Sequence, residues 1–295
     1  MPIEFPSSAS HLLSQRWRQL SELVAKAQWD VEDLHQFRIT LRTSLAWSPL
    51  WAIGSLPETE AGAIHLQKTV LKQCNIWRER DVFLTYLAGL PHSKRARRTL
   101  QGLDSGCRKP AVALLSPLVR ESGQRLMVWQ QRMTPTLLQE LLALQLSLYL
   151  QRSRDRLLCC QQGSLRTLHQ LRLALKALRY LLEILVAVAP QWRPLWGECR
   201  RWQERLGQFA DLDSLLRWLR LQQEEELADL VQHRRKQLGR LLRSELDELA
   251  RLLVIMEEQE LPTRSRLANY FSLQERDCAS AERGTVSSRG HGVVE

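Results

Sequence analysis

The sequence predicts an all-α protein, and three observations carry that expectation. Leucine dominates the apolar residues: the 295-residue chain holds 58 Leu against 14 Val and 7 Ile. Leucine loses little rotamer freedom in a helix, whereas β-branched residues favour strands. Over residues 165–185, placed at about 100° per residue, Leu168, Leu171, Leu175, Leu178, Leu182 and Leu185 fall on one arc and form a core face. Finally, the chain repeats itself. Residues 34–42 read LHQFRITLR and residues 168–176 read LHQLRLALK, identical at five of nine positions. Downstream, NIWRERDVFLTYL (75–87) parallels GQFADLDSLLRWL (207–219). The copies lie 134 residues apart in the first pair and 132 in the second, a register that chance does not keep.

Each half, 8–132 and 133–262, holds about four helices. In the first they are expected at 10–28, 31–53, 60–89 and 111–132, with Asp30 as an N-cap and Pro49 ending or kinking the second. Breaks fall at the Gly54–Pro57 stretch, at Pro91 and around Gly102–Pro110. In the second half they are expected at 135–161, 164–189, 193–221 and 223–259, with Ser164 as an N-cap and breaks at Gly163, Pro190 and Pro194. Pro262 closes the last helix, and residues 263–295 lose apolar periodicity, as a disordered tail does.

With 44% hydrophobic residues the chain can build a substantial core, which excludes wholesale disorder. It has no apolar run of the roughly 18–20 residues a membrane helix needs, and MPIEFPSSASHLL is not a secretory signal. The six cysteines, at 74, 107, 159, 160, 199 and 278, form no CxxC pair, a pattern that fits reduced thiols in a cytoplasm and no zinc site. The net charge of +10 points to a polyanionic partner without naming it. Nucleic acid, anionic lipid and inorganic phosphate polymers all remain open on charge alone.

The chemistry gathers on the repeated helix. His169, Arg172, Lys176 and Arg179, spaced +3, +4, +3, stack into a stripe that borders the leucine face, as the wall of a cleft should. Neighbouring cations repel by a few tenths of a kcal/mol per pair, so such a stripe is costly until an anion neutralises it. The first half carries His35, Arg38 and Arg42, with Leu45 at the fourth position. Further cations stand in 94–98 (KRARR, read as a solvated loop), 152–156 (RSRDR) and 233–236 (HRRK), followed by Arg240 and Arg243. The acid pairs Glu79/Asp81 and Asp211/Asp213 point to different faces of a helix. That is poor geometry for a metal and better suited to capping or to ion pairs that orient a basic residue. No P-loop, GxSxG or HExxH motif occurs, and nothing argues for catalysis or a cofactor. The ten tryptophans read as packing residues.

A helix of the form HxxRhxxR placed twice, followed by RERDV (78–82) in one half and LGQFADLD (206–213) in the other, resembles the CHAD family, the conserved histidine α-helical domain. The resemblance spans residues 8–260. It implies two pseudo-symmetric four-helix bundles around a central basic groove or channel, and non-catalytic binding of inorganic polyphosphate, in the cytoplasm or on polyphosphate granules. The implied contacts are His35, Arg38, Arg42, His169, Arg172, Lys176 and Arg179, joined by Lys72, Arg234 and Arg235. General binding of RNA or another polyanion is the alternative. Thr43, Leu45 and Ala177 stand where family members carry further Arg, and Asn75 replaces the glycine that Gly207 keeps, so the first half is expected to hold ligand less tightly.

Overall fold

The computed structural model describes residues 5–48, 57–102, 109–163 and 167–259. Those residues form ten α-helices and one short 3-10 turn, with no strand among them. The helices are α1 (Phe5–Ala25), α2 (Val31–Ala46), α3 (Pro57–Ala88), α4 (Lys94–Gly102) and α5 (Val112–Arg132), then α6 (Pro135–Gln162), α7 (Thr167–Val188), α8 (Arg193–Leu221), α9 (Glu225–Ser244) and α10 (Leu246–Glu258). The all-α expectation holds.

Local chemistry explains several boundaries. The Asp30 carboxylate accepts from the Asp33 backbone N–H at 2.7 Å and the Asp33 side chain accepts from the Asp30 N–H at 3.3 Å, a capping box that starts α2 as expected. Thr134 caps α6 ahead of Pro135, whose fixed φ suits a first turn. Three expectations need correction. α2 ends at Ala46, short of the expected bound, with Trp47 as its C-cap and the Trp47 indole donating to the Tyr180 carbonyl at 2.8 Å; residues 49–53 of the expected helix lie outside the described residues. The KRARR run is no loop: Ala96 and Leu100, four residues apart, give it a buried stripe, and it forms α4. The segment 223–259 is two helices, broken at Glu245, so that Leu242 before the break and Leu246, Leu249, Leu253 and Met256 after it all reach one core. Pro49, Ser164, the residues after 259 and the tail expected from 263 lie outside the described residues.

Three apolar cores organise the helices. One is built from α1, α2, α3 and α5, with Phe37, Leu41, Val70, Cys74 and Leu115 all fully buried. A larger one joins α6, α7, α8 and α10, takes in Leu13 of α1 and Leu126 and Trp129 of α5, and includes every leucine of the expected α7 core face. The third packs α3 and α4 against α8 and α9. The tryptophans serve packing as read: Trp29, Trp47, Trp129, Trp192 and Trp202 are buried. No helix among the described residues is long and apolar enough to cross a membrane.

Candidate functional site

The apolar faces of α2 and α7 are pinned by their cores, so the polar edges of these helices have one direction left. The Trp47 hydrogen bond and the Tyr149 hydroxyl, which donates to the Ala46 carbonyl at 3.3 Å, hold the end of α2 against the second half of the chain. Between α1, α2, α3, α7 and α8 this leaves an open cleft of about 920 Å³.

Seven arginines line it: Arg16, Arg38, Arg42, Arg78, Arg172, Arg179 and Arg200. Four carboxylates share the wall, and each has a cation beside it. Arg78 donates through both terminal nitrogens to Asp211, at 2.5 and 2.6 Å, in a bidentate pair joining α3 to α8. Arg16 bonds Glu183, Arg200 bonds Glu204 at 2.7 Å, and Asp81 stands 3.8 Å from Arg80. Among the described residues Arg38, Arg42, Arg172 and Arg179 therefore have no carboxylate bonded to them. Neutral groups serve some of them. The Asn75 amide oxygen accepts from Arg38 at 3.0 Å and from Arg42 at 3.5 Å. Arg179 donates to Gln203 at 2.5 Å and lies over the Tyr180 ring, 4.0 Å from its centroid. Arg172 has a buried Nε with no acceptor. Gly207 faces it, and a Cβ there would stand 3.8 Å from that nitrogen.

Lys176 sits half-buried on α7 among these arginines. Burial, reinforced by Arg42, Arg172, Arg38 and Arg179, brings its ammonium down to about 6. Burial, with Arg42 and Arg78, lowers Arg38 to about 9, which leaves it charged at neutral pH. Burial lowers Arg42 and Arg172 in the same direction. The cleft thus holds more positive charge than its own carboxylates neutralise.

The CHAD domain family model matches residues 12–220. The chain belongs to the CHAD family. Its structure is similar to the crystal structure of the CHAD domain from the plant Ricinus communis, with a TM-score of 0.63 and 19% sequence identity over 88% of this chain and 92% of that one. No curated protein matches the sequence.

Within this CHAD chain the sequence-derived residues scatter more than the stripe suggested. Arg38, Arg42, Arg172 and Arg179 line the cleft together with His35, and Lys176 lies among them. His169 is exposed, one turn from Arg172 and away from the lining; the water lost on its protein side and the nearby Arg172 lower its pKa. Lys72 and Arg234 are exposed and do not line the cleft. Arg235 is bonded to Asp213 at 2.7 Å and lies over Phe209, 5.0 Å from the ring centroid. The residues missed by sequence reading are Arg16, Arg78, Arg200 and Gln203. Arg78 stands in the quoted RERDV segment, next to the acid pairs, but only the fold shows which of its neighbours reach the cleft. The acid pairs behave as orienting groups: Asp211 holds Arg78, and Asp213 holds Arg235 and stands 3.6 Å from Arg217. Thr43 and Leu45, at two positions where family members carry Arg, pack inward, Thr43 fully buried and Leu45 against the first core. Among the described residues no cluster of His, Cys, Asp or Glu could hold a metal ion.

Proposed function

We propose that this CHAD protein binds inorganic polyphosphate in the cleft between α2, α3, α7 and α8, without catalysing its turnover. The observation that carries the reading is the charge imbalance of the wall. Its four carboxylates stand beside Arg16, Arg78, Arg80 and Arg200, which leaves Arg38, Arg42, Arg172 and Arg179 without a carboxylate bonded to them among the described residues. A flexible chain of phosphates, about one charge per unit and no bases, supplies that charge repeatedly along the wall. Nucleic acid is the second reading, and the aromatic groups weigh against it. Tyr180 is buried under Arg179, and Tyr86 is the other lining aromatic, so the cleft offers little platform for stacked bases. The same proposal takes residues 8–132 and 133–262 as two pseudo-symmetric four-helix bundles facing one another across the cleft. It is supported by the internal repeat and by a core confined to the first half, built from α1, α2, α3 and α5, while the larger core of α6, α7, α8 and α10 also takes in Leu13, Trp47 and Trp129 from the first half.

The test is a titration of the purified protein with long-chain polyphosphate and with charge-matched single-stranded RNA at two salt concentrations. Tighter polyphosphate binding that outlasts RNA binding at the higher salt is expected; equal affinities that collapse together would move nucleic acid to the front. Arg172→Ala combined with Lys176→Ala should weaken polyphosphate binding at least about tenfold with helix content intact. Incubation with polyphosphate and magnesium should release no orthophosphate, and sustained release would overturn the non-catalytic part.

A further inference from the structure

The two copies of the repeat differ at one position that touches the cleft cations directly. In the 132-residue register of the downstream segments, Asn75 and Gly207 are equivalent. Asn75 does not line the cleft, yet its amide oxygen accepts from two residues that do, Arg38 and Arg42. Gly207 does line it and has no side chain to offer; the Nε atoms of Arg38 and Arg172 both lack an acceptor, but only Arg38 has its terminal nitrogen bonded to a neighbouring amide oxygen.

We infer that positions 75 and 207 decide which half of the cleft seats the anion first: Asn75 keeps Arg38 and Arg42 bonded internally, and Gly207 leaves Arg172 without an internal acceptor as the leading oxyanion seat. This rests on the polyphosphate reading and deepens it. A phosphate oxygen reaching Arg172 displaces no protein acceptor. Reaching Arg38 and Arg42 means competing with an amide oxygen already aligned with them. A Cβ at 207 would make only ordinary contact with Arg172, so a side chain can be introduced there without a backbone clash. Longer chains then extend from this seat toward the first-half arginines, which engage second.

The experiment measures affinity for tripolyphosphate and for long-chain polyphosphate in the unsubstituted chain, in Asn75→Ala and in Gly207→Asn, each with and without Arg38→Ala or Arg172→Ala. In the natural background Arg172→Ala should cost at least about tenfold and Arg38→Ala no more than about threefold. Asn75→Ala, which keeps a good helix former in α3, should tighten binding by about three- to tenfold and make Arg38→Ala as costly as Arg172→Ala. Gly207→Asn, which supplies Arg172 with an acceptor, should weaken binding by a similar factor. Equal losses from Arg38→Ala and Arg172→Ala in the natural chain would overturn the inference, as would weaker binding by Asn75→Ala, which would make Asn75 an organiser of the arginines. If Asn75→Ala loses helix content, the two arginine variants and Gly207→Asn decide the matter alone. A natural chain that binds neither polyphosphate refutes the reading of the site and the inference together. Binding that is indifferent to all these substitutions refutes the inference alone.

Discussion

At the scale of single residues, Lys176 carries the strongest consequence. In an unfolded chain its ammonium holds a proton up to about 10.5, and in the folded cleft only to about 6. Between those values the unfolded state binds more protons, so the contribution of Lys176 to stability rises with pH and is least favourable below 6. Lys176→Met removes the titrating group. The melting temperature of that variant should exceed that of the natural chain at pH 6, and the gap should narrow steadily toward pH 9. A gap independent of pH would refute the assignment. Anion binding reverses the bias by favouring the charged form, so polyphosphate binding at pH 8 should draw about one proton from buffer, and calorimetry in buffers of different ionisation enthalpy reads this directly. The identity of Lys176 as a stripe residue was legible from its +3, +4, +3 spacing. Its shift was not, because Arg42 and Arg38 come from a segment 134 residues away.

At the scale of elements, the turns between helices show where periodicity alone misleads. The link from α8 to α9 is a tight reversal in which Gln223 takes a left-handed φ of 58° and the Glu224 N–H reaches back to the Leu219 carbonyl at 3.0 Å. That position favours glycine, which adopts such a φ without Cβ strain. Gln223→Gly should therefore stabilise the fold by about 0.5–1 kcal/mol, measurable as a shift in denaturant midpoint with an unchanged slope. The charged run at 94–98 teaches a second lesson. Five residues of mostly Lys and Arg look like a solvated loop until Ala96 and Leu100 are seen to share a face. Arg80 then closes the end of α4 by donating to the Leu100 carbonyl at 2.9 Å. At the α9–α10 break the sequence offers neither glycine nor proline, and the bend is imposed by the shared core.

At the scale of the whole molecule, the two halves of the chain are held across the cleft by polar links as well as by apolar contact. Arg78 to Asp211 is the bidentate one, and Arg16 to Glu183 is a second. Asp211 is also the carboxylate that occupies Arg78 when no external anion is present. Asp211→Asn should lower the melting temperature, since a charged bidentate pair becomes a weaker neutral bond. It should also tighten polyphosphate binding by releasing Arg78. Parallel melts and titrations check this, and a variant that loses both stability and affinity would assign Asp211 to holding the cleft open.

The sequence by itself determined the all-α class, the internal repeat, the family and the cationic stripes, because each is written in local spacing: leucines at helical period, cations at +3 and +4, and two segments kept in register. Even the Asp30 capping box and the leucine face of α7 follow from residues within a few turns of one another. Only the tertiary structure decided which cations share a cleft and which keep an unsatisfied charge. Arg16 and Arg200 join the wall from outside every quoted motif and Arg78 from within RERDV, while His169, Lys72 and Arg234 stay outside. Counter-charge is a property of neighbours in space. Whether Asn75 or Gly207 stands beside an arginine therefore mattered only once α2 had packed on α3 and α7 on α8.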